Sequence, residues 1–115
     1  MEFKIINVKN EINSPSALTR EQGKIIFDNI VETIDNGIGV ELDFNDIESL
    51  ITPFLNVAIG KLYEKYDSQK LNEYLKPKNI PSGKVSSFNL VIENAKKYYS
   101  NKLAFDETIK DVIDV

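Results

Sequence analysis

The stretch VELDFNDIESLITPFLNVAIGKLYEKY, Val40 to Tyr66, decides how this chain is read. Its opening residues alternate. Val40, Leu42 and Phe44 point one way and Glu41 and Asp43 the other, which is the period of a strand with one buried face. Thr52-Pro53 then marks a helix start: Thr52 is placed to cap it, and proline suits the first helical position, where its missing N–H is not needed. Leu55, Ala58, Ile59, Leu62 and Tyr66 recur at helical spacing, and Phe54, Val57 and Tyr63 add apolar bulk around that stripe. Ala58 and Gly60 are small enough to allow close approach to a sheet. Between strand and helix, Asn45 to Ser49 is a short connection, with Ile47 and Leu50 turned to the core.

Upstream, Phe3 to Val8 reads as a short strand in which Phe3, Ile5 and Val8 are apolar, with Lys4 and Asn7 between or beside them. Asn10 to Ser16 reads as a turn around the breaker Asn13-Ser14-Pro15-Ser16. Thr19 and Gln22 form the capping box of a first helix, and Glu21 suits the positive end of its dipole. Ile26, Ile30 and Ile34, flanked by Phe27 and Val31, are its core stripe, and Asn36-Gly37 stops it. Strand, helix and strand in this order predict a crossover unit with a parallel pair. Downstream, Leu71 to Leu75 is a helical turn, and Leu75 to Ile80 is an edge strand, because Pro77 cannot donate to a ladder. Pro81-Ser82-Gly83 is a loop. Ser86 or Ser87 caps a third helix carrying Phe88, Val91, Ile92, Ala95 and Tyr99. The segment from Ser100 to Val115 is a C-terminal helix or a partly ordered tail, with apolar Leu103, Phe105, Ile109, Val112 and Ile113 and acidic Asp106, Glu107, Asp111 and Asp114.

The 115 residues fit a single domain, 1–115. The formal net charge of −4 argues against nucleic-acid binding by phosphate neutralisation. There is no cysteine and no histidine, so thiolate metal sites, disulfides and the commonest general base are excluded. The N-terminus lacks a signal pattern, and no apolar run approaches the ~18 residues of a membrane span. A cytoplasmic location without membrane contact is expected.

Several groups invite chemistry. Asp43, Asn45 and Asp46 offer oxygen ligands for magnesium, but they lack a further carboxylate, and Asp and Asn have turn-forming habits that explain them. Thr52 is a candidate phosphoacceptor, or presents its hydroxyl to a phosphate at a helix start, or is simply the cap. Thr19 and Arg20 form an anion contact, or a capping box with a surface arginine. Gly23 costs about 1 kcal/mol inside a helix, so it makes room for a neighbouring backbone or a ligand. Ser82-Gly83-Lys84 lacks the first glycine of a phosphate loop. Tyr98 and Tyr99 beside Lys96 and Lys97 suit a base contact or the edge of an amphipathic helix. No nucleophile, base and orienter assemble, so no catalytic residue, metal or cofactor is assigned and the chain is expected not to be an enzyme.

Four segments carry a resemblance: Thr19-Arg20-Glu21-Gln22-Gly23, Val40-Glu41-Leu42-Asp43-Phe44, Ile51-Thr52-Pro53-Phe54-Leu55-Asn56 and Ile59-Gly60-Lys61-Leu62-Tyr63. Together they resemble the bacterial STAS-like domains of unknown function, distant relatives of the anti-sigma factor antagonists, over roughly Phe3 to Ile92. The resemblance implies an α/β fold, a mixed β-sheet of about four strands with three or four helices packed on it. It also implies signalling by protein–protein contact. In those antagonists, a serine at the start of the helix after the central strand is phosphorylated by a kinase-like anti-sigma factor. Counted back from Gly60, that serine falls at Pro53, and Thr52 is the nearby hydroxyl.

The expected function is a regulatory protein-binding module without the usual serine switch. Its contact residues would be Asp46, Glu48, Ser49, Thr52, Phe54 and Asn56, and its partner a regulator of ATPase-kinase fold. The alternative is a small accessory protein of a mobile-element, defence or toxin–antitoxin system that sequesters a protein or a nucleotide. A third reading is an enzyme using Asp43, Asp46 and a metal.

Overall fold

The structure is a computed structural model describing residues 1–114, with side chains described for residues 1–100. The elements run β1 (Phe3–Asn7), α1 (Val8–Ile12), β2 (Ser16–Ala17), α2 (Arg20–Asp35), β3 (Gly39–Asp43), β4 (Ser49–Leu50), α3 (Thr52–Leu55), a π-helical turn (Asn56–Gly60), α4 (Leu62–Lys65), α5 (Ser68–Tyr74), β5 (Leu75–Lys78) and α6 (Val85–Asp114).

The α/β STAS-like architecture holds, with the strands divided between two sheets. β1, β3 and β5 form one, in the order β1-β3-β5, and β2 with β4 forms the other. Every pairing is parallel rather than mixed. β5 is an edge strand, as Pro77 requires. β1 and β3 are the parallel pair joined through α2.

The alternation in β3 is as read: Val40, Leu42 and Phe44 are buried. In β1 the buried residue is Ile6, while Phe3 and Ile5 are exposed; Val8, also read as apolar, is buried at the start of α1. Ile5, Glu41 and Lys76 share a register row on the face that the helices leave open. The helices cover only the other face, where Ile26, Ile30 and Ile34 of α2 meet Leu55, Ala58, Ile59 and Leu62. Burying each such side chain contributes about 1.5–3 kcal/mol.

Other details differ from expectation for local reasons. Val8–Ile12 is a helix, not the front of a turn. Asn7 caps it by accepting from the Asn10 N–H at 2.9 Å, and Asn13 ends it at φ 55°. The capping box of α2 forms as read. The Thr19 hydroxyl accepts from the Gln22 N–H, and Gln22 Oε1 accepts from Thr19 and Leu18. The helix that begins at Thr52 is interrupted by the π turn, where the Lys61 N–H reaches back to the Asn56 carbonyl at 3.1 Å. Thr52 is not its cap: Ile51 occupies that place, and no side chain caps the helix. Ser86 and Ser87 lie inside α6, which starts at Val85. α6 continues without a break through the segment expected to be a separate helix or tail. The side chains of that segment, with its apolar and acidic positions, lie outside those described, as does Val115.

Gly60 faces α6 rather than a sheet. A methyl group there would sit 3.8 Å from Val91 and Ala95. Gly23 sits where α2 crosses α3. A methyl group there would lie 2.7 Å from the Phe54 carbonyl oxygen, so it makes room for a neighbouring backbone.

Candidate functional site: paired helix starts beside a basic cleft

The two-residue pairing of β2 with β4 brings distant segments together. The Pro15 carbonyl accepts from the Glu48 N–H at 2.7 Å, and the Ala17 carbonyl accepts from the Ile51 N–H at 3.2 Å. Ala17 and Leu50 are paired and buried. One step further, Leu18 and Ile51 are each 40% exposed. The strands run parallel and each leads into a helix, so the starts of α2 and α3 lie side by side. Thr19, Arg20 and Thr52, read separately in the sequence, therefore occupy one ledge.

The six candidate contact residues divide here. Asp46 (φ 63°) and Glu48 are exposed on the β3–β4 connection. Ser49 lies in β4 and is half-buried. Thr52 is exposed, and its hydroxyl is not spent on a cap. Asn56 is exposed at the π turn. Phe54 is wholly buried in the core and cannot meet a partner. A helical stripe two residues wide made its facing ambiguous in the sequence. Thr19 keeps its hydroxyl in the capping box, so of the expected anion contacts only Arg20 has its side chain free.

Beside the ledge lies a cleft of about 300 Å³ between the π turn and α6, lined by Arg20, Asn56, Val57, Lys61, Asn94 and Tyr98 among others. A second lobe of about 310 Å³ opens toward α2 and Phe27, sharing Arg20, Val57 and Lys61. Among the described residues neither Arg20 nor Lys61 has an ion-pair partner, whereas Lys24 pairs with Asp28 and Lys65 with Asp35. Nothing in the local sequence marks Lys61 or Val57 as site residues, because their placement depends on the π turn and on the packing of α2 and α6.

The acidic turn is a structural device. The Asp43 carboxylate accepts from the Asn45 N–H at 2.9 Å and from the Asn79 amide at 2.8 Å. Asn79's hydrogen bond, against some opposing burial and helped by Asn45 and Asn7, holds the Asp43 carboxyl below its usual pKa. Among the described residues no three carboxylates gather as a metal site. Tyr66 is a further polar anchor, its hydroxyl donating to Asp35 at 2.6 Å. Burial, and then that carboxylate, push its phenol above its usual pKa.

Residues 22–83, more than half of the chain, match the family described as STAS-like domain of unknown function (DUF4325). The chain belongs to this family. The matched segment contains α2 from Gln22 onward, β3, the Asp46–Asn56 connection and helix start, and β5, and it leaves out Thr19 and Arg20. It ends before α6, which forms one wall of the cleft. No curated protein and no solved structure matches the chain significantly. No helix among the described residues is long and apolar enough to cross a membrane.

Proposed function

We propose that this STAS-like domain is a non-enzymatic regulatory module that binds a protein partner at the paired helix starts. The supporting observation is the adjacency of Leu18 and Ile51. They are two large apolar side chains left exposed together, flanked by Arg20 and by an uncommitted Thr52 hydroxyl. An apolar centre with a polar rim is the usual anatomy of a contact surface. The partner proposed is a bacterial regulator of ATPase-kinase fold, by kinship with the anti-sigma factor antagonists. Thr52 takes the place of the missing serine as phosphoacceptor. A phosphate there adds charge to the centre of the surface and releases the partner.

The test uses an ATPase-kinase-fold regulator from the same genome and a photo-crosslinking residue at position 51, with position 69 on α5 as the control. Crosslinking from position 51 alone is expected. Leu18→Asp and Thr52→Glu should each weaken capture about tenfold or more, as loss of a central contact does, with an unchanged circular dichroism spectrum. Equal crosslinking from position 69, or capture indifferent to both substitutions, overturns the assignment.

A further inference from the structure

We propose that the cleft between the π turn and α6 binds a nucleoside monophosphate. Charge is the first argument. Arg20 and Lys61 are the charged side chains of the main lobe, which no carboxylate lines; Glu21 and Asp28 line the second lobe, where Asp28 is paired with Lys24. In a chain of net charge −4, two cations without acidic partners concentrate anions locally. Both line the cleft together with Val57, so a phosphate held by both would lie in a partly apolar setting. Arginine's planar fork suits phosphate oxygens, and lysine supplies a point charge.

The rest of the lobe suits a base. Val91 and Ala95 give it an apolar wall, and Tyr98, a 62% exposed residue whose ring meets Tyr99 edge-to-face, also lines it. An exposed ring beside a cationic groove is a stacking platform for any base. Asn56 and Asn94 each bring a donor and an acceptor to the same lobe, the complement of a base edge. An acidic peptide would use the cations but leave the paired amides and the ring without a planar partner. The volume of about 300 Å³ lies at the small end of ligand sites, which selects a mononucleotide over a dinucleotide cofactor. The π turn fits this reading, because such bulges often re-aim side chains at functional sites. The inference does not depend on the protein partner proposed above.

The test is a titration of the full ¹⁵N-labelled chain, followed by amide chemical shifts. AMP, GMP, CMP and UMP are compared at constant ionic strength with their nucleosides, inorganic phosphate and a poly-glutamate peptide. At least one nucleotide should give saturable shifts at Val57, Lys61, Asn94 and Tyr98. Its nucleoside and phosphate alone should each bind about tenfold more weakly or less. Lys61→Glu and Tyr98→Ala should each weaken binding by a similar factor, with the remaining spectrum unchanged. The proposal is overturned if no nucleotide saturates in the millimolar range, if phosphate alone binds as well, if the peptide binds more tightly than every nucleotide, or if Lys61→Glu leaves the shifts intact.

Discussion

Gly23 shows how a single residue can encode a contact that lies outside its own helix. Replacing it with alanine would gain about 1 kcal/mol of helix propensity. The added methyl group, however, would meet the Phe54 carbonyl oxygen at 2.7 Å and Val57 Cβ at 3.0 Å. A backbone oxygen cannot rotate away, so overpacking wins. Gly23→Ala should destabilise by about 1–3 kcal/mol in urea denaturation; equal or greater stability would show that the helices can separate cheaply. Asp43 gives a pH-dependent case. Its folded pKa is lowered, so its contribution is present above the ordinary carboxylate pKa and is lost as pH falls through the lowered value. Asn79→Gly keeps the positive φ of 57° and removes the amide donor. The Asp43 carboxyl should then titrate closer to its ordinary value by NMR, and the wild-type stability advantage should be present at neutral pH and fade in acid. An unmoved Asp43 titration would discard the assignment. Ile5 and Ile6 mark where residue-level reading fails. Two adjacent isoleucines satisfy either parity of a strand, so the buried face is decided by the packing of α2, which covers Ile6.

At the scale of elements, the two helix starts look alike in sequence and differ in structure. Thr19 precedes a helix whose cap it forms, whereas Thr52 has already entered the helix behind Ile51. Thr19→Ala should cost about 1 kcal/mol, the usual worth of a side-chain cap. Thr52→Ala should stay within about 0.5 kcal/mol, as for a surface position without a special role. Thermal or urea denaturation of the pair decides it: equal losses would restore Thr52 as a cap and weaken its case as a phosphoacceptor. The capping box was legible because both its partners lie within three residues of each other. The β2–β4 pairing was not, because two-residue strands have no periodicity, and only the hydrogen bonds from Glu48 and Ile51 to Pro15 and Ala17 reveal it.

At the scale of the whole molecule, the sheet is covered on one face, and the long α6 packs across its helical layer. Phe88 is buried and meets Phe44 edge-to-face, with ring centroids 5.9 Å apart. Phe44 directly follows the central strand, so α6 is tied directly to the core although the family match stops before it. Phe88→Ala should therefore cost about 3–5 kcal/mol in urea denaturation, as for a core aromatic. A loss below about 1 kcal/mol, the level of a dispensable surface contact, would mean that the matched segment is stable without α6. The same docking builds the cleft, since Val91, Asn94, Ala95 and Tyr98 reach it only when Phe88 is seated.

Local signals in the sequence determined the α/β class, the parallel β1–β3 unit, the edge position of β5, the Thr19–Gln22 cap and the stripe from Leu55 to Tyr66. Each of these follows from a short-range period, a cap or a missing donor, all contained within a few residues. The Val40–Tyr66 stretch also carries the residues proposed to make contact. Only the tertiary structure decided which of them are available. It buried Phe54, left the Thr52 hydroxyl out of the cap, and placed Arg20 of α2 and Lys61, between the π turn and α4, on the same cleft. Those outcomes depend on how segments far apart in the chain pack together, and a side chain's exposure is a property of what packs against it.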